Sequence, residues 1–178
     1  MLKSIFGKIW GDQDNVELIQ IPAGALYLVR PSSVKGSREC IYKDAVATIR
    51  RTSTEHNYQL VVTRAYDEGE QQLLDEDEES DDERSFLIDQ SLDLRPSKTP
   101  DGDPTLTWRD LSGVADSEDL LEFVMDDAQV NSVTRSIFEV TFLQCVYERK
   151  FGVSHDQASD DDLEKLKYKP NTAGGNQR

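Results

Sequence analysis

The chain has 178 residues, of which 37% are hydrophobic and 31% are charged, and its formal net charge is −15 at pH 7. This length suffices for one domain with a buried core, and the negative charge argues against non-specific binding to nucleic acid or to anionic lipid, because both need basic surface. No segment approaches the roughly 20 apolar residues of a membrane-spanning helix, and the two cysteines lie far apart in apolar segments, which favours reduced thiols in a cytoplasmic protein.

The first twelve residues are predicted to form a short amphipathic helix. Leu2, Ile5, Phe6 and Ile9 recur at the spacing of one helical face. Two lysines interrupt the apolar run, so no signal peptide is predicted. Two interpretations are open: the helix packs on its own domain, or it anchors the chain weakly to a membrane surface.

A domain predicted to span residues 14–151 follows, built from short strands at close spacing. Pro22-Ala-Gly24 and residues 32–36 are typical of turns, because proline restricts φ and glycine admits unusual φ values. Strands are predicted between such turns, and apolar and polar residues alternate most clearly in Ala45–Arg51 and Tyr58–Tyr66. The predicted strands are Val16–Ile21, Ala25–Arg30, Glu39–Lys43 and Ala45–Arg51 as one or two strands broken near Asp44, Tyr58–Tyr66, Ser85–Gln90, Thr105–Leu111 and Leu120–Met125. About seven antiparallel strands predict a mainly β fold, either a closed or nearly closed barrel or a sandwich.

The densest charge of the chain lies between two predicted strands, at residues 67–84. This run holds eleven acidic residues and one arginine and so carries ten of the fifteen net negative charges. Such a block repels itself and has little apolar surface to bury, which predicts a solvated, disordered insertion. It serves either as a solubilising loop or as a docking strip for basic partners. The candidate interaction residues are Asp75, Glu76, Asp77, Glu78, Glu79, Asp81, Asp82 and Glu83.

Ser80 lies inside this acidic run and has acids on both sides and at the third position after it. Acid-directed serine kinases prefer this pattern, so Ser80 is a candidate phosphosite; the alternative is a chance match. A phosphate would add about −1.5 to −2 charges, which should tighten contact with a basic surface rather than create order in the run.

Six basic residues precede the insertion within a stretch of 30 positions: Lys35, Arg38, Lys43, Arg50, Arg51 and Arg64. They are a candidate basic patch. Three interpretations are open, namely neutralisation by the acidic insertion of the same chain, a phosphate-binding site, or a site for an acidic peptide.

The apolar period changes from strand-like to helical after residue 127. Ala128–Lys150 contains no proline or glycine, and acidic residues precede it while basic residues end it, as the helix dipole favours. Its apolar residues occupy more than one face. The helix is therefore either wedged between the β domain and the N-terminal helix, or it also meets another protein or domain. Residues 152–178 are predicted to be a polar linker with a short helix over Asp160–Lys167.

No pattern in the chain predicts a reaction. His56 and His155 are not spaced from any cysteine as metal ligands are, and no phosphate-binding or nucleophile motif occurs. A disordered insertion cannot hold two carboxylates at the fixed separation that acid–base chemistry needs. We therefore expect no catalytic residue, no metal site and no cofactor, and we expect the protein not to be an enzyme.

Seven strands followed by one long helix form the plan of a pleckstrin-homology-like barrel, in which the C-terminal helix caps one open end. Particular segments also resemble the N-terminal region of the fungal vacuolar import and degradation protein 27 (Vid27) family. They are Ile21–Pro31, Ile41–Thr52, Tyr58–Tyr66, Trp108–Gly113, Leu121–Val124 and Cys145–Lys150, in order and with an acidic insertion in the same place.

The resemblance implies a cytoplasmic, non-enzymatic module tied to vacuolar import and degradation or to trafficking of cytosolic proteins. Longer relatives carry further domains, so the implied partners are a protein of unknown identity and further domains of the same chain, without nucleic acid or membrane contact. The alternative is a lipid- or phosphate-binding recruitment module, although lipid-binding pleckstrin-homology domains place basic residues at a first loop that here reads Pro22-Ala-Gly24.

The expected core of this domain is apolar. Its predicted members are Leu18, Leu26, Leu28, Ile41, Ile49, Leu60, Val62, Leu87, Trp108, Phe123, Ile137 and Phe138.

Overall fold

Seven antiparallel strands joined in one sheet account for most of the ordered elements. The computed structural model describes residues 16–31, 37–65, 82–111 and 118–167. The strands are β1 (Glu17–Arg30), β2 (Ser37–Arg51), β3 (Tyr58–Arg64), β4 (Glu83–Leu87), β5 (Arg95–Lys98), β6 (Pro104–Arg109) and β7 (Leu120–Met125). Two helices follow, α1 (Ser132–Phe151) and α2 (Asp160–Glu164). The mainly β class with a C-terminal helix is therefore confirmed, and the predicted N-terminal helix over residues 1–12 lies outside the described residues.

The strands lie in the order β4-β3-β2-β1-β7-β6-β5, so β4 and β5 are the two edges. No pairing joins these edges within the described residues. The sheet is therefore open, and the predicted closure into a barrel is not confirmed.

The turn predicted at Pro22-Ala-Gly24 is wrong, because β1 runs through it as a single strand. The pairing register with β2 shifts on both sides of Gly24, which marks an irregularity in the strand rather than its end. A Cβ atom at Gly24 would lie 2.5 Å from Cζ of Phe123 and 2.6 Å from the carbonyl oxygen of Val124. Glycine is required here for the close approach of β7 to β1.

The structure has seven strands within the described residues, the number that the sequence predicted, but two of the predicted positions differ. The two predicted segments flanking Gly24 are one strand, while β5 lies in the proline-containing loop where no strand was predicted. Pro96 stands opposite Leu106 in the β5–β6 pairing. Edge strands tolerate proline because one side of their backbone needs no hydrogen-bond partner. A strand of four residues is also too short to show a clear alternation of apolar and polar residues in the sequence.

The core lies between the sheet and α1, and most of the predicted members belong to it. Its predicted and confirmed members are Leu26, Ile49, Leu60, Val62, Trp108, Phe123 and Phe138, and Leu28 and Ile41 pack against it. The prediction is wrong for Leu18, Leu87 and Ile137, which are 41%, 41% and 48% exposed. Next to Leu18 in β1, Ile19 faces inward instead, and next to Leu87, Ile88 just after the end of β4 does so. Successive residues of an extended chain point to opposite sides.

Helix α1 begins four residues later than predicted. Asn131 is its N-cap, and the side-chain carbonyl of Asn131 accepts a hydrogen bond from the backbone N–H of Thr134 at 2.8 Å. Gly152 ends the helix with φ at 68°, a left-handed conformation that suits glycine. None of the described helices is long and apolar enough to cross a membrane.

Candidate functional site

Both histidines of the chain meet at one carboxylate, that of Glu148 in the last turns of α1. Glu148 is only 5% exposed. Its Oε1 atom accepts a hydrogen bond from the hydroxyl of Tyr58 at 2.8 Å and lies 3.0 Å from Nδ1 of His56. Tyr58 opens β3 and His56 lies in the turn before it, so this oxygen ties the β2–β3 turn to the helix.

The second oxygen of Glu148 binds the chain that follows α1. Oε2 accepts a hydrogen bond from the backbone N–H of His155 at 3.0 Å and lies 2.6 Å from Nδ1 of the same residue. Residues 153–167 do not continue away from the domain as the predicted linker would. They fold back along α1, and α2 within them begins with a capping box between Ser159 and Asp162.

The electrostatics of this cluster favour a permanently charged carboxylate. Burial alone would raise the pKa of Glu148, but the hydrogen bonds from His56, His155 and Tyr58 outweigh it and lower the pKa to about 2. Because an ionised carboxylate only accepts hydrogen bonds, Nδ1 of each histidine carries the donated proton. A carboxylate with so low a pKa is a poor general base near neutral pH. The arrangement is chemically suited to clamping three segments together.

Burial and the charge of Glu148 also shift the pKa values of Tyr58 and Cys145. Burial, with the hydrogen bond to Glu148, raises the pKa of Tyr58 well above its usual value. Burial and Glu148 likewise raise the pKa of the Cys145 thiol, one turn earlier in α1. Cys145 therefore remains a protonated thiol, which is weakly nucleophilic.

Sequence reasoning missed this cluster. His56 and Glu148 are 92 positions apart, and no spacing rule relates them. In the structure, His56 is marked by its backbone, which adopts φ of 65°. Only a minority of non-glycine residues occupy this left-handed region, and surrounding contacts must hold them there.

A groove runs beside α1, between the helix and the segment that leads into β5. We call it the α1 groove; its volume is about 410 Å³. Its lining residues are Gln90, Asp93, Leu94, Pro96, Glu139, Phe142, Leu143, Val146, Leu166 and Lys167. The floor is apolar and the rim is charged.

The solvent-facing side of α1 carries several apolar side chains, most of them exposed. We call Val133, Ile137, Val140, Tyr147 and Phe151 the outer stripe; they recur at the spacing of one helical face. Val133, Ile137 and Val140 are 65%, 48% and 47% exposed. The prediction that α1 is apolar on more than one face is confirmed. Val133, Ile137, Val140 and Phe151 lie exposed on this outer face, whereas Phe142, Leu143 and Val146 are buried.

A second, wider cavity of about 570 Å³ opens beside the irregularity of β1 at Gly24, where the middle of β2 and the end of β7 lie near the start of α1. Lys43, Asp44, Asp103, Asp126 and Asp127 contribute its charged lining. Across the described residues, no group of three or more histidine, cysteine, aspartate or glutamate residues is arranged to hold a metal ion.

The predicted basic residues do not all gather in one place. Arg38 and Arg50 lie near opposite ends of β2. Arg38 donates two hydrogen bonds to Glu122 and stacks over the ring of Tyr27. Arg50 lies 3.8 Å from Glu83.

The remaining predicted site residues fall at different places in the chain. Of the basic residues, Lys43 lines the wider cavity, Arg51 and Arg64 lie exposed in β2 and β3, and Lys35 is outside the described residues. Of the acidic candidates, Asp75–Glu79, Asp81 and the candidate phosphosite Ser80 also lie outside the described residues. Asp82 and Glu83 are described and introduce β4.

Comparison with known proteins identifies relatives over nearly the whole chain. The family model of the VID27 N-terminal region matches residues 1–167. Vacuolar import and degradation protein 27 of Schizosaccharomyces pombe is 44% identical over 168 residues, which cover 93% of this chain and 20% of that protein. The protein of the same name from Saccharomyces cerevisiae is 28% identical over 186 residues, which cover 93% of this chain and 23% of that protein. The chain thus spans about a fifth of the length of these curated relatives.

Proposed function

This chain belongs to the family of the VID27 N-terminal region, and from that premise we propose that it is a non-enzymatic protein-interaction module. The module would serve vacuolar import and degradation, the process in the printed name of its relatives. The proposal assigns the chain to the cytoplasm, where free thiols such as those of Cys40 and Cys145 are usual.

The observation that carries this proposal is the outer stripe of α1. Exposed apolar residues are ordinary when they are scattered, but a continuous patch on one element is typical of an interaction surface. Val133, Ile137 and Val140 follow the spacing of a helix–helix seam. The partner we propose is therefore a protein segment that presents an apolar helical face of its own.

The same proposal includes a finer description of the fold. The strand order β4-β3-β2-β1-β7-β6-β5 and the helix after the last strand support a pleckstrin-homology-like arrangement. Domains of one architecture host many functions, so this likeness by itself assigns no ligand.

Quantitative affinity capture from the native cells tests the outer stripe. The bait is the 178-residue chain, and it is compared with a triple variant carrying Val133→Ser, Ile137→Ser and Val140→Ser. These residues are 65%, 48% and 47% exposed and lie outside the core, so the variant should melt close to the parent while losing its partners. A bait with Leu87→Ser and Leu111→Ser controls for the loss of exposed apolar residues elsewhere, since these leucines are 41% and 49% exposed.

Two results would contradict the proposal. The triple variant could retain the same partners as the parent, in which case the stripe is not the docking surface. It could instead lose several kcal/mol of stability, which would show that the stripe is covered within the chain itself, for example by the apolar residues of positions 2–9.

Lipid or phosphate binding is the alternative function. Arg38 and Arg50, two of the bases it would use, already pair with Glu122 and Glu83. We expect no sedimentation of the chain with phosphoinositide vesicles at physiological salt. Binding that weakens as salt rises would favour the alternative, because screened charges mark a lipid-surface interaction.

A further inference from the structure

We propose that the α1 groove binds a short segment of a partner protein in which a bulky apolar residue is followed by lysine or arginine. The groove lies on a different flank of α1 from the outer stripe. This inference therefore goes beyond the proposed function and is tested by different residues.

The floor of the α1 groove suits an apolar side chain. This floor is formed by Leu94, Phe142, Leu143 and Val146. Each of them is at most 9% exposed, so little of the area of the floor faces solvent. A volume of about 410 Å³ falls within the range of sites that enclose most of a small ligand or anchoring residue. An aliphatic or aromatic side chain would displace water from this floor.

The wall of the groove suits a cation. Glu139 lines it half-buried, and within the described residues it makes no hydrogen bond and no ion pair. Burial raises the pKa of Glu139, and the positive charges of Lys167 and Arg135 offset part of this effect. A partly desolvated carboxylate without a partner gains from a lysine or arginine that reaches it.

The chain itself places an apolar–basic pair at this groove. Leu166 packs against the core, and Lys167 next to it lines the groove. The ammonium group of Lys167 lies 2.9 Å from the carboxylate of Glu164, so its ion pair is made within residues 153–167 rather than with Glu139. A second apolar–basic pair would find the remaining floor and a Glu139 carboxylate that makes no hydrogen bond or ion pair within the described residues.

The groove favours recognition through side chains. Pro96 stands at its rim in the edge strand β5 and has no backbone N–H. An added strand could not form a regular ladder along this edge. The bound segment is therefore anchored by its apolar and basic side chains.

An NMR titration of the 15N-labelled 178-residue chain tests this site. The probe is the peptide Gly-Ser-Gly-Phe-Lys-Gly-Ser, compared with peptides in which glutamate replaces lysine or serine replaces phenylalanine. We expect the first peptide to shift the amide signals of Phe142, Leu143 and Val146 with a dissociation constant of about 0.1–1 mM, as one anchor and one charge allow. Each altered peptide should bind about tenfold more weakly.

Variants of the chain test whether the carboxylate of Glu139 is the group that binds the lysine of the peptide. Glu139→Gln should weaken the phenylalanine–lysine peptide about tenfold and abolish its preference over the glutamate peptide. Asp161→Asn makes the same change of charge at an exposed residue of α2 that does not line the groove, and it should leave the affinity unchanged. The triple serine variant of the outer stripe should also bind normally, which separates this site from the proposed function.

The inference is overturned if the phenylalanine–lysine peptide shifts no groove signals, or if it shifts them equally in the parent and in Glu139→Gln. Equal affinity for the lysine and glutamate peptides would overturn it as well.

Discussion

Ile137 and Phe138 are adjacent in α1, yet the first is 48% exposed and the second is fully buried. Phe138 lies with Phe142, Cys145 and Val146 on the inner face that closes the core. Ile137 lies on the outer stripe, where the same kind of side chain meets solvent. The comparison teaches that apolar content alone does not distinguish the buried face of a helix from its exposed face; only the position of the helix against the sheet does.

Replacement of Phe138 should have the largest effect. Phe138→Ala leaves a cavity in the core and should lower the free energy of unfolding by about 3–5 kcal/mol. Ile137→Ala is the matched control and should change it by less than about 0.5 kcal/mol. Urea denaturation followed by circular dichroism measures both; similar losses in the two variants would erase the distinction between the faces.

Glu148 should contribute the next largest effect at the polar end of the inner face. Glu148→Gln keeps the shape but weakens the charged hydrogen bonds to His56, Tyr58 and His155, and should lower the free energy of unfolding by about 1–3 kcal/mol at pH 7.

The effect of Glu148 should depend on pH in one direction. Its pKa in the folded protein, about 2, lies below the ordinary value of 4.5, so the unfolded chain binds the proton more readily between these values. The stability it contributes is complete above pH 4.5 and is lost as the pH falls toward 2. The difference between parent and Glu148→Gln should therefore be constant from pH 7 to about 5 and shrink at lower pH; a constant difference down to pH 3 would refute the account.

His56 should show a smaller effect that reports backbone strain. Both His56→Ala and His56→Gly remove the contact with Glu148, but φ of 65° disfavours alanine far more than glycine. We expect His56→Gly to be about 1 kcal/mol more stable than His56→Ala, despite the greater flexibility of glycine in the unfolded chain. Equal melting temperatures of the two variants would mean that the turn relaxes when the histidine is lost.

The smallest effect belongs to the outer stripe. The rings of Tyr147 and Phe151 lie 4.8 Å apart between centroids, while Phe151 is 53% exposed. A double-mutant cycle with Tyr147→Ala and Phe151→Ala should give a coupling energy of about 0.5 kcal/mol, as an exposed aromatic pair allows. A coupling above about 2 kcal/mol would show that the stripe is part of the folded core.

The strands with clear alternation could be predicted, and those whose existence depends on a neighbour could not. Leu120–Met125 matches β7 at both ends because it is a short, almost wholly apolar run that follows a turn; its burial alternates along the six positions. β5 could not be predicted, because its four exposed residues form a strand only by pairing with β6. The passage of β1 through Gly24 likewise depends on the ring of Phe123, which lies about 100 positions later in the chain.

The candidate sites divide in the same way. The helical spacing of its residues showed that α1 is apolar on more than one face, but it did not show which of these faces is buried. The Glu148 cluster could not be predicted from the sequence. It joins the β2–β3 turn, the start of β3, the last turns of α1 and the segment that follows α1. The α1 groove also joins three separate parts of the chain, and Leu94 and Phe142 have no sequence relation that would bring them together.

The sequence by itself determined the mainly β class, the long helix after the last strand, the concentration of charge at residues 67–84 and the family. These features depend on the spacing of apolar residues, on composition and on short motifs. All three can be seen within a short stretch of neighbouring residues. Only the tertiary structure decided that Phe138 is buried and Ile137 exposed, that both histidines meet Glu148, and that Glu139 faces an apolar groove. Burial and pairing depend on which distant segments pack together, and that outcome is a property of the whole chain's free energy rather than of any single segment.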